Sequence, residues 1–428
     1  MSDLHEGLET LAKDFHAVTD TYAGTAVTDP YPMFAELRAT TPVMKGDILD
    51  RYRVPSQADY ARQGREVHTL FRYNDVYNVL KDDENWLSYI MADGFGASVD
   101  NMLLTAMDGE THHKYRALMQ PPFLMPTVRR MMDALIKPII DNEYVNVMRP
   151  DGKADLVRDF SLPFPIRVVY AFFGFPEDNE SVMKFASWAL RIVAGPQYDP
   201  EVQKITMAAS MEAGIQLFYH VVPIIAARRA SGVQRDDLLG FMINADLDGK
   251  RFTDEEIGHF VRMLLLAAGE TTSRSFINMM VQLLERPDVL EKLRNDRSLI
   301  GKAITETMRR DPTAGFLARA AAKDIEIGGV LIKEGTSVSL SIGSANRDPE
   351  VYERPDELWL ERPMRPVLSF GFGPHMCMGM HIARVEMEVA LNSLLDLPNL
   401  RFDPAFPKPE IRGMNLRGVD AINVIWDI

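Results

Sequence analysis

The stretch that decides the fold is Phe370-Gly371-Phe372-Gly373-Pro374-His375-Met376-Cys377-Met378-Gly379, which contains the single cysteine among 428 residues. Without a second cysteine an intramolecular disulfide is excluded, so the sulfur can pack, act as a nucleophile or bind a metal. The glycines and the proline allow a tight loop whose backbone N–H groups point at the sulfur and stabilise a thiolate. Taken alone, the loop also fits a buried free cysteine. A zinc site of His375, Cys377 and His381 would lack the several cysteines usual for structural zinc.

The residues after the loop predict a helix from Met378 to about Leu397. Its apolar residues recur at helical spacing: Ala383, Met387, Ala390, Leu391 and Leu394. This places Cys377 at a helix N-terminus, where the helix dipole favours an anion. An anionic, hydrogen-bonded sulfur in an apolar pocket suits haem iron and favours O–O cleavage.

A second segment predicts one very long helix. Thr253 and Glu256 form a capping-box pattern, and apolar positions follow at helical spacing until Arg286-Pro287. Such a helix would run roughly 45 Å at 1.5 Å per residue, so its middle must be buried. That middle reads Ala267-Ala268-Gly269-Glu270-Thr271-Thr272, where small residues admit a flat ligand and a threonine hydroxyl can bond the carbonyl four residues back. An ordinary core helix with a solvated Glu-Thr-Thr patch remains an alternative.

Elsewhere the pattern predicts a mostly helical body with minor sheet. Helical runs are expected over 131–147, 180–193, 200–229 and 288–310. Residues 325–332 predict a hairpin with a Gly-Gly turn.

The cysteine loop resembles the signature of the haem-thiolate monooxygenases, the cytochromes P450, which reads Phe-x-x-Gly-x-His/Arg-x-Cys-x-Gly. Every fixed position is filled. The resemblance implies that Cys377 is the axial thiolate to the iron of haem b, with Phe370, Gly371 and Gly379 shaping the cofactor loop. It also implies a mainly α fold with minor β, a single large triangular-prism domain over residues 1–428, and the long central helix lying over the haem.

The middle of the long helix resembles the oxygen-activating helix of the same family. By that likeness Thr271 would hydrogen-bond dioxygen at the haem, Glu270 would relay protons from solvent, and Ala267 would contact the cofactor. Ala268 stands where glycine is more usual, which adds a methyl group near the oxygen site.

The resemblance also implies partners for the two haem carboxylates. His112 and Arg116 match the family's His-x-x-x-Arg helix, with the adjacent His113 as an alternative register. Arg319 resembles the arginine that approaches the haem edge from a strand, and His375 is the fourth candidate.

Three further residues resemble a structural network of the family. Glu306 and Arg309 form its Glu-x-x-Arg pattern, and Arg362 is expected to be the third member. We assign this network to structure, bracing the core beneath the haem, rather than to chemistry.

By the same resemblance the substrate pocket is lined by five segments, which are mostly apolar. They are the loop from Trp86 to Leu104, residues 192–207, the long helix at Met263, Leu266 and Ala267, the turn Gly315-Phe316-Leu317, and Asn415-Leu416. We therefore expect hydroxylation of a small or mid-sized apolar molecule, such as a terpenoid, aromatic, alkyl or steroid-like compound, with O2 and two electrons. A peroxide-using enzyme and a non-catalytic haem sensor or carrier remain alternatives.

Composition and family likeness together predict partners and compartment. No run of about 18 apolar residues is present, and the first fifteen residues are acidic and amphipathic, with Leu4, Leu8, Leu11 and Phe15 on one face. We expect a soluble, cytoplasmic, bacterial-type monomer without a membrane anchor. The net charge of −14 argues against nucleic acid. Ferredoxin, reduced by an NAD(P)H-dependent reductase, is the expected electron donor, docking on a basic patch of Lys114, Arg129, Arg130, Arg365 and Arg384.

Overall fold

The structure is a computed structural model that describes residues 2–22, 24, 27–60, 63–93, 96, 103–175 and 178–428; of residues 2–8, 22 and 179 only the secondary structure is described. Leu4 and Leu8 of the predicted amphipathic face therefore lie outside the described side chains. Residues 94–95 and 97–102 of the predicted pocket loop also lie outside the described residues.

Helices dominate the described part of the chain. They are α1 (Ser2–Tyr22), α2 (Tyr31–Thr40), α3 (Ile48–Arg51), α4 (Tyr73–Lys81), α5 (Gly109–Met119), α6 (Met125–Met131), α7 (Asn146–Met148), α8 (Pro163–Phe173), α9 (Asn179–Val193), α10 (Pro200–Ser231), α11 (Leu238–Asn244), α12 (Asp254–Leu284), α13 (Pro287–Asn295), α14 (Ile300–Arg310), α15 (Ile342–Ala345) and α16 (Met380–Leu395). None of these helices is long and apolar enough to cross a lipid bilayer.

The strands form small sheets at the edges of the helical body. They are β1 (Val43–Lys45), β2 (Val67–Leu70), β3 (Trp86–Leu87), β4 (Lys153–Asp155), β5 (Asp246–Leu247), β6 (Lys250–Arg251), β7 (Phe316–Ala321), β8 (Ile325–Ile327), β9 (Val330–Ile332), β10 (Ser337–Ser341), β11 (Arg401–Phe402) and β12 (Asn423–Ile425). The largest sheet has the order β1-β2-β10-β7-β3 and is antiparallel except between β2 and β10. The mainly α fold with minor β is confirmed.

The predicted hairpin is confirmed as β8 and β9. Gly328 and Gly329 have φ values of +58° and +81°. Glycine adopts positive φ at no steric cost, and a two-residue turn with this handedness matches the twist of the flanking strands.

Helix α12 runs through the centre of the fold, as the sequence predicts. Its capping box is formed: the Glu256 backbone N–H donates to Thr253 Oγ1 at 3.1 Å, and the Thr253 N–H donates to Glu256 Oε2 at 2.9 Å. The helix packs against α8, α9, α10 and α14. From Ile257 to Leu284 its residues are buried, except at Leu266, Ala267, Ala268 and Thr271.

Two predicted helical runs are more broken than the sequence pattern indicates. The run over 288–310 divides into α13 and α14, joined by a 3₁₀ turn at Arg297–Leu299. Asp296 accepts hydrogen bonds from the Ser298 backbone N–H and hydroxyl at 3.1 and 2.6 Å. It is therefore the N-cap residue of the 3₁₀ turn that precedes α14. The run over 131–147 contains π-helical turns on both sides of Pro138, which has no N–H to donate.

Candidate functional site

The cysteine loop is a tight turn leading into α16. Gly371 and Gly373 have φ values of +69° and +71°, and Gly373-Pro374-His375 forms a 3₁₀ turn. A Cβ at position 373 would lie 2.5 Å from the Leu80 carbonyl oxygen at the end of α4. Both the backbone handedness and this close approach require glycine at position 373.

The Cys377 sulfur is held by the loop that surrounds it. The Cys377 N–H donates to the Phe370 carbonyl at 2.8 Å, which closes the loop. Cys377 is exposed to solvent in the described structure, although many protein atoms surround its sulfur. Desolvation by these atoms raises the pKa of the Cys377 thiol, while the backbone amides of Gly379 and Met380 and the nearby Arg116 act to lower it. A coordinated metal ion deprotonates a thiol outright, so this sulfur suits a metal ligand.

Three of the predicted carboxylate partners lie beside the cysteine loop. Arg116 of α5 donates from Nη2 to the Met376 carbonyl at 2.7 Å. The His112 and His375 rings stack with centroids 3.9 Å apart. His375 Nε2 lies 3.2 Å from Ser88 Oγ.

Arg319 on β7 is a buried cation that faces this group. Burial lowers the pKa of Arg319 to about 10, against the attraction of Asp108 and Asp83. Its guanidinium donates to the Ala318 carbonyl at 2.7 Å. Among the described residues it has no carboxylate within ion-pair distance.

The two histidines are buried in a neutral state. Burial, with a smaller contribution from Arg116, lowers the pKa of His112 to about 4. Burial, followed by Arg319, lowers the pKa of His375 to about 2. Within the described structure both ring nitrogens of His112 are buried without a hydrogen-bond partner.

Together these groups fit a planar anionic cofactor. A buried cation and buried ring nitrogens without partners are costly unless an acceptor occupies the site. Haem b has two carboxylates, which can accept from Arg319, Arg116 and the histidines, and its iron would take the Cys377 sulfur. The zinc alternative has less support, because no group of three or more potential metal-binding side chains is present in the described chain.

The middle of α12 presents one accessible face. Ala267 and Thr271 are exposed one turn apart, within a helix that is otherwise almost wholly buried. The Thr271 hydroxyl donates to the Ala267 carbonyl at 2.6 Å, and Ser275 Oγ donates to the Thr271 carbonyl at 2.8 Å. Both bonds divert helix carbonyls and can loosen the helix at this point.

Glu270 faces a different side of the same helix. Its carboxylate oxygen Oε1 accepts from Arg274 Nε at 2.9 Å and from Nη2 at 2.8 Å. Burial raises the pKa of Glu270, and Arg274 acts to lower it. The residue is buried and lines a cavity bordered by α1, α8 and α9.

The predicted substrate-pocket residues are only partly brought together. Met263 is buried, and its sulfur accepts from the Leu104 N–H at 3.2 Å. Leu266 lines the same cavity as Glu270. Gly315 lies against the Met414 carbonyl, which a Cβ at position 315 would approach to 2.2 Å. Leu416 has a φ of +45° and directs its carbonyl at Arg274.

Two residues of the predicted pocket, Phe316 and Asn415, are buried in the described structure. Phe316 is 1% exposed and packs edge-on against Phe34 at 5.8 Å, inside the core. Side chains alternate along a strand, so Leu317 is the residue directed toward Gly371 and the cysteine loop. Asn415 is also buried, and its Oδ1 accepts from the Gly315 N–H at 3.0 Å, which serves the turn rather than a pocket wall.

The three residues of the expected structural network are in contact. Glu306 receives hydrogen bonds from Arg309 Nε at 2.8 Å and Arg309 Nη2 at 3.0 Å. Arg362 Nε donates to Glu306 Oε1 at 2.9 Å. Arg309 also donates to the carbonyls of Asn346 and Pro355, each at 2.8 Å.

The residues of the expected basic patch differ in availability. Lys114, Arg130 and Arg365 are exposed. Arg129 forms a two-pronged ion pair with Glu388 at 3.0 and 2.9 Å. Arg384 is half-buried and donates to Thr305 Oγ1.

Arg274 was not identified from the sequence as the partner of Glu270. The signal was available, because Glu270 and Arg274 are four residues apart and so meet on one helix face. Its other partners, Thr19 and Leu416, come from distant parts of the chain and carry no local signal.

Known proteins are similar to this chain over most of its length. The family model described as Cytochrome P450 matches residues 60–412. Putative cytochrome P450 YjiB of Bacillus subtilis (strain 168) is 30% identical over 367 residues, 86% of each chain. Cytochrome P450 monooxygenase PikC of Streptomyces venezuelae is 30% identical over 407 residues, 90% of this chain and 89% of the relative. The solved structure of CYP109E1 from Bacillus megaterium in complex with testosterone has a TM-score of 0.79 and 27% identity, covering 94% of this chain and 100% of that one.

Proposed function

The chain belongs to the cytochrome P450 family of haem-thiolate monooxygenases, and from this we propose that it hydroxylates a small or mid-sized apolar molecule with O2, holding haem b through Cys377. The observation that carries the proposal is the set of buried donors beside the cysteine loop. Arg319 forms no ion pair among the described residues and is attracted only at longer range by Asp108 and Asp83, and the ring nitrogens of His112 have no hydrogen-bond partner there. Both kinds of group are stabilised by the carboxylates of a bound haem.

The residues around Cys377 prepare the sulfur to be an anionic ligand. Haem b, when bound, supplies the redox chemistry that activates dioxygen, and a thiolate ligand favours O–O cleavage. The amides of Gly379 and Met380 and the charge of Arg116 stabilise the thiolate. Phe370 and Gly371 set the loop, because the Phe370 carbonyl accepts from the Cys377 N–H and the Gly371 N–H donates to the Leu368 carbonyl.

On the other side of the cofactor we assign Thr271 and Glu270 as the catalytic pair. Thr271 is supported by its accessible hydroxyl, one helical turn from the small residue Ala267. The hydroxyl would bind the dioxygen substrate and hold a proton at Oγ1. Glu270 would release Arg274, take up a proton from solvent on its carboxylate, and pass that proton to the Thr271 hydroxyl.

We further propose an apolar substrate of terpenoid, aromatic, alkyl or steroid-like type. Met263, whose sulfur contacts the Leu104 N–H, and Leu317, which lies against Gly371 of the cysteine loop, are the apolar side chains proposed to contact it. The similar CYP109E1 was solved in complex with testosterone, which supports a steroid-sized molecule.

Electron supply is proposed to come from a ferredoxin and its NAD(P)H-dependent reductase. The exposed cations Lys114, Arg130 and Arg365 support a docking surface for an acidic protein. We also propose that residues 1–428 act as one domain, and that the protein works as a cytoplasmic monomer without a nucleic-acid or membrane partner.

One observation favours a second candidate, a haem-thiolate enzyme driven directly by peroxide. Peroxide already carries the protons that dioxygen must acquire, so the Glu270 relay would be dispensable. The buried ion pair of Glu270 with Arg274 is compatible with such an enzyme. A hydroxylation rate with peroxide that equals the rate with ferredoxin would favour this candidate.

The cofactor assignment is tested by the optical spectrum of the reduced, carbon monoxide-treated protein. Wild type and the control Met378→Leu should show the long-wavelength Soret band of a thiolate ligand. Cys377→Ser should lose that band. A Cys377→Ser protein that retains it would overturn the assignment.

The catalytic pair is tested by coupling, the fraction of NAD(P)H consumption that yields product. Thr271→Ala should release peroxide in place of product. Thr272→Ala is the matched control, because Thr272 is buried and lies off the accessible face. Unchanged coupling in Thr271→Ala would contradict the proposed role.

A further inference from the structure

Arg274 is the arginine that holds Glu270, and it is completely enclosed. Its side chain is 0% exposed, and that of Glu270 is 4% exposed. A buried guanidinium is stabilised only when its donors are satisfied. The contacts of Arg274 therefore show what fixes its position.

Helix α1 supplies two of these contacts. Arg274 Nη2 donates to Thr19 Oγ1 at 2.9 Å. The guanidinium carbon lies 4.1 Å from the centre of the Phe15 ring, in cation–π geometry. The Leu416 carbonyl accepts from Nη1 at 3.0 Å on another side.

Glu270 and α1 also share a cavity. Its volume of about 20 Å³ is enough for one water molecule. Leu11 and Phe15 of α1 line it, together with Glu270 and Ser273 of α12 and apolar residues of α8 and α9. Glu270 is the one charged residue on this wall, so Arg274 is the charged group that faces its carboxylate.

Thr271 lies on the accessible face of α12, whereas Glu270 is buried, lines this cavity and has its carboxylate bound by Arg274. To give a proton to Thr271, Glu270 must therefore either break its hydrogen bonds with Arg274 or become protonated beside it. Whatever holds Arg274 also controls when Glu270 can act.

We propose that Arg274 is a positioning residue that keeps Glu270 as a carboxylate in this cavity, and that Thr19 and Phe15 of α1 hold Arg274 in place. The proposal rests on the proposed function of Glu270 as proton relay. It gives α1 a role in timing proton delivery, beyond covering the core.

The first test replaces Arg274 by methionine in the haem-loaded enzyme. Without a facing cation the buried Glu270 should be protonated at neutral pH, because burial disfavours its charge. Infrared spectroscopy should then show a carboxylic acid carbonyl band in Arg274→Met that is absent in wild type and in Arg274→Met/Glu270→Gln. Absence of the band in a folded Arg274→Met protein would overturn the proposal.

The second measurement is the pH profile of coupling. Loss of an opposite charge at this distance raises a carboxyl pKa by about 1–3 units. The profile of Arg274→Met should move to higher pH by about that amount, and Arg274→Lys should restore part of the shift because it retains the charge. A merely structural arginine would lower the amount of folded enzyme without moving the profile.

Thr19→Val provides a test that does not remove the charge. It deletes one hydrogen bond to Arg274, and the coupling profile should move in the same direction by a smaller amount. Thr21→Val is its matched control, because Thr21 lies on the same helix and bonds the Ala17 carbonyl and Gln197 instead. Should Arg274→Met fail to fold, equal profiles for Thr19→Val and Thr21→Val would overturn the role of α1.

Glu270→Gln separates the two levels of the proposal. Unchanged coupling in Glu270→Gln would reject Glu270 as the relay, and so reject the proposed function of this residue. Reduced coupling in Glu270→Gln, with an unshifted profile and no infrared band in folded Arg274→Met, would reject the role of Arg274 alone.

Discussion

Two buried glutamate–arginine pairs, on α14 and on α12, have nearly the same local chemistry but very different surroundings. Glu306 and Arg309 are three residues apart, and Glu270 and Arg274 are four apart. Both arginines are 0% exposed. The Glu306 carboxylate also accepts from Arg362 and from the Trp359 N–H, whereas the hydrogen bonds to Glu270 come from Arg274.

The difference teaches that spacing alone does not separate a pair proposed to be structural, Glu306–Arg309, from a pair proposed to control proton transfer, Glu270–Arg274. Glu306 is surrounded by donors that fix its charge and orientation. Glu270 has one cation and a cavity beside it, so its protonation can change with a small movement. Carboxyl groups with few fixed partners in an enclosed site are the ones whose pKa values proteins adapt for chemistry.

The largest effect should follow from removing the arginine of the structural pair. Arg309→Met leaves Glu306 with Arg362 and the Trp359 N–H as its donors, and it removes donors from the Asn346 and Pro355 carbonyls. We expect a loss of about 3–5 kcal/mol in the apparent free energy of unfolding, measured by denaturant titration. Arg310→Met, at the half-buried next position, is the control and should lose much less.

A direct contrast of the two glutamates should give a smaller difference. Glu306→Gln weakens hydrogen bonds from two arginines, and Glu270→Gln weakens those from one. The apparent free energy of unfolding should therefore fall further in Glu306→Gln by about 1.5–3 kcal/mol, the value of a hydrogen bond to a charged group. Coupling of NAD(P)H consumption to product, in contrast, should fall further in Glu270→Gln than in Glu306→Gln. Equal losses of stability would mean that the surroundings do not distinguish the pairs.

A third buried glutamate, Glu386 on α16, extends the contrast to a site without any arginine. It is 1% exposed, and its Oε1 has no hydrogen-bond partner within the described chain. Burial raises the pKa of Glu386 well above its ordinary value. The folded protein therefore keeps this proton at pH values where the unfolded chain releases it.

The pH dependence of stability follows from that direction. Above the ordinary glutamate pKa of about 4.3, wild type should lose up to about 1.4 kcal/mol of stability for each pH unit, until the native-state pKa is reached. Glu386→Gln has no such proton, so its unfolding free energy should exceed that of wild type by more at high pH than at low pH. Denaturant titrations at two pH values would measure this, and parallel pH profiles would contradict it.

The smallest effect is expected at an exposed pair beside the structural network. Lys292 and Glu361 form an ion pair while their side chains are 50% and 55% exposed. Lys292→Met should change the free energy of unfolding by only about 0–1 kcal/mol, and less at high salt. A larger loss would show that the neighbouring Arg362 depends on this pair.

Sequence predicted those features whose signals are local. The capping box of α12, the glycines of the cysteine loop and the Gly-Gly hairpin were each readable from a few adjacent residues, because backbone handedness and helix spacing are local properties. The break between α13 and α14 at Asp296 also had a local signal, the N-cap residue itself. It was not predicted, because apolar residues continue at helical spacing on both sides of Asp296.

The missed features depend on residues that are distant in the chain. The direction of Phe316 follows from the pairing of β7 with β10, which fixes which strand face is buried. The surroundings of Glu270 depend on Arg274, which is held in turn by Thr19 and Leu416. These two residues are 255 and 142 positions from Arg274. No periodicity within α12 could reveal them.

The convergence of Thr19 and Leu416 on Arg274 has a consequence for biosynthesis. A ribosome delivers Thr19 early, Arg274 later and Leu416 after a further 142 residues. Until that last segment emerges, a nascent chain carries an arginine whose carbonyl acceptor has not yet been translated. The surroundings of Glu270 and Arg274 are therefore completed late in translation, after the helices that enclose them are available to fold.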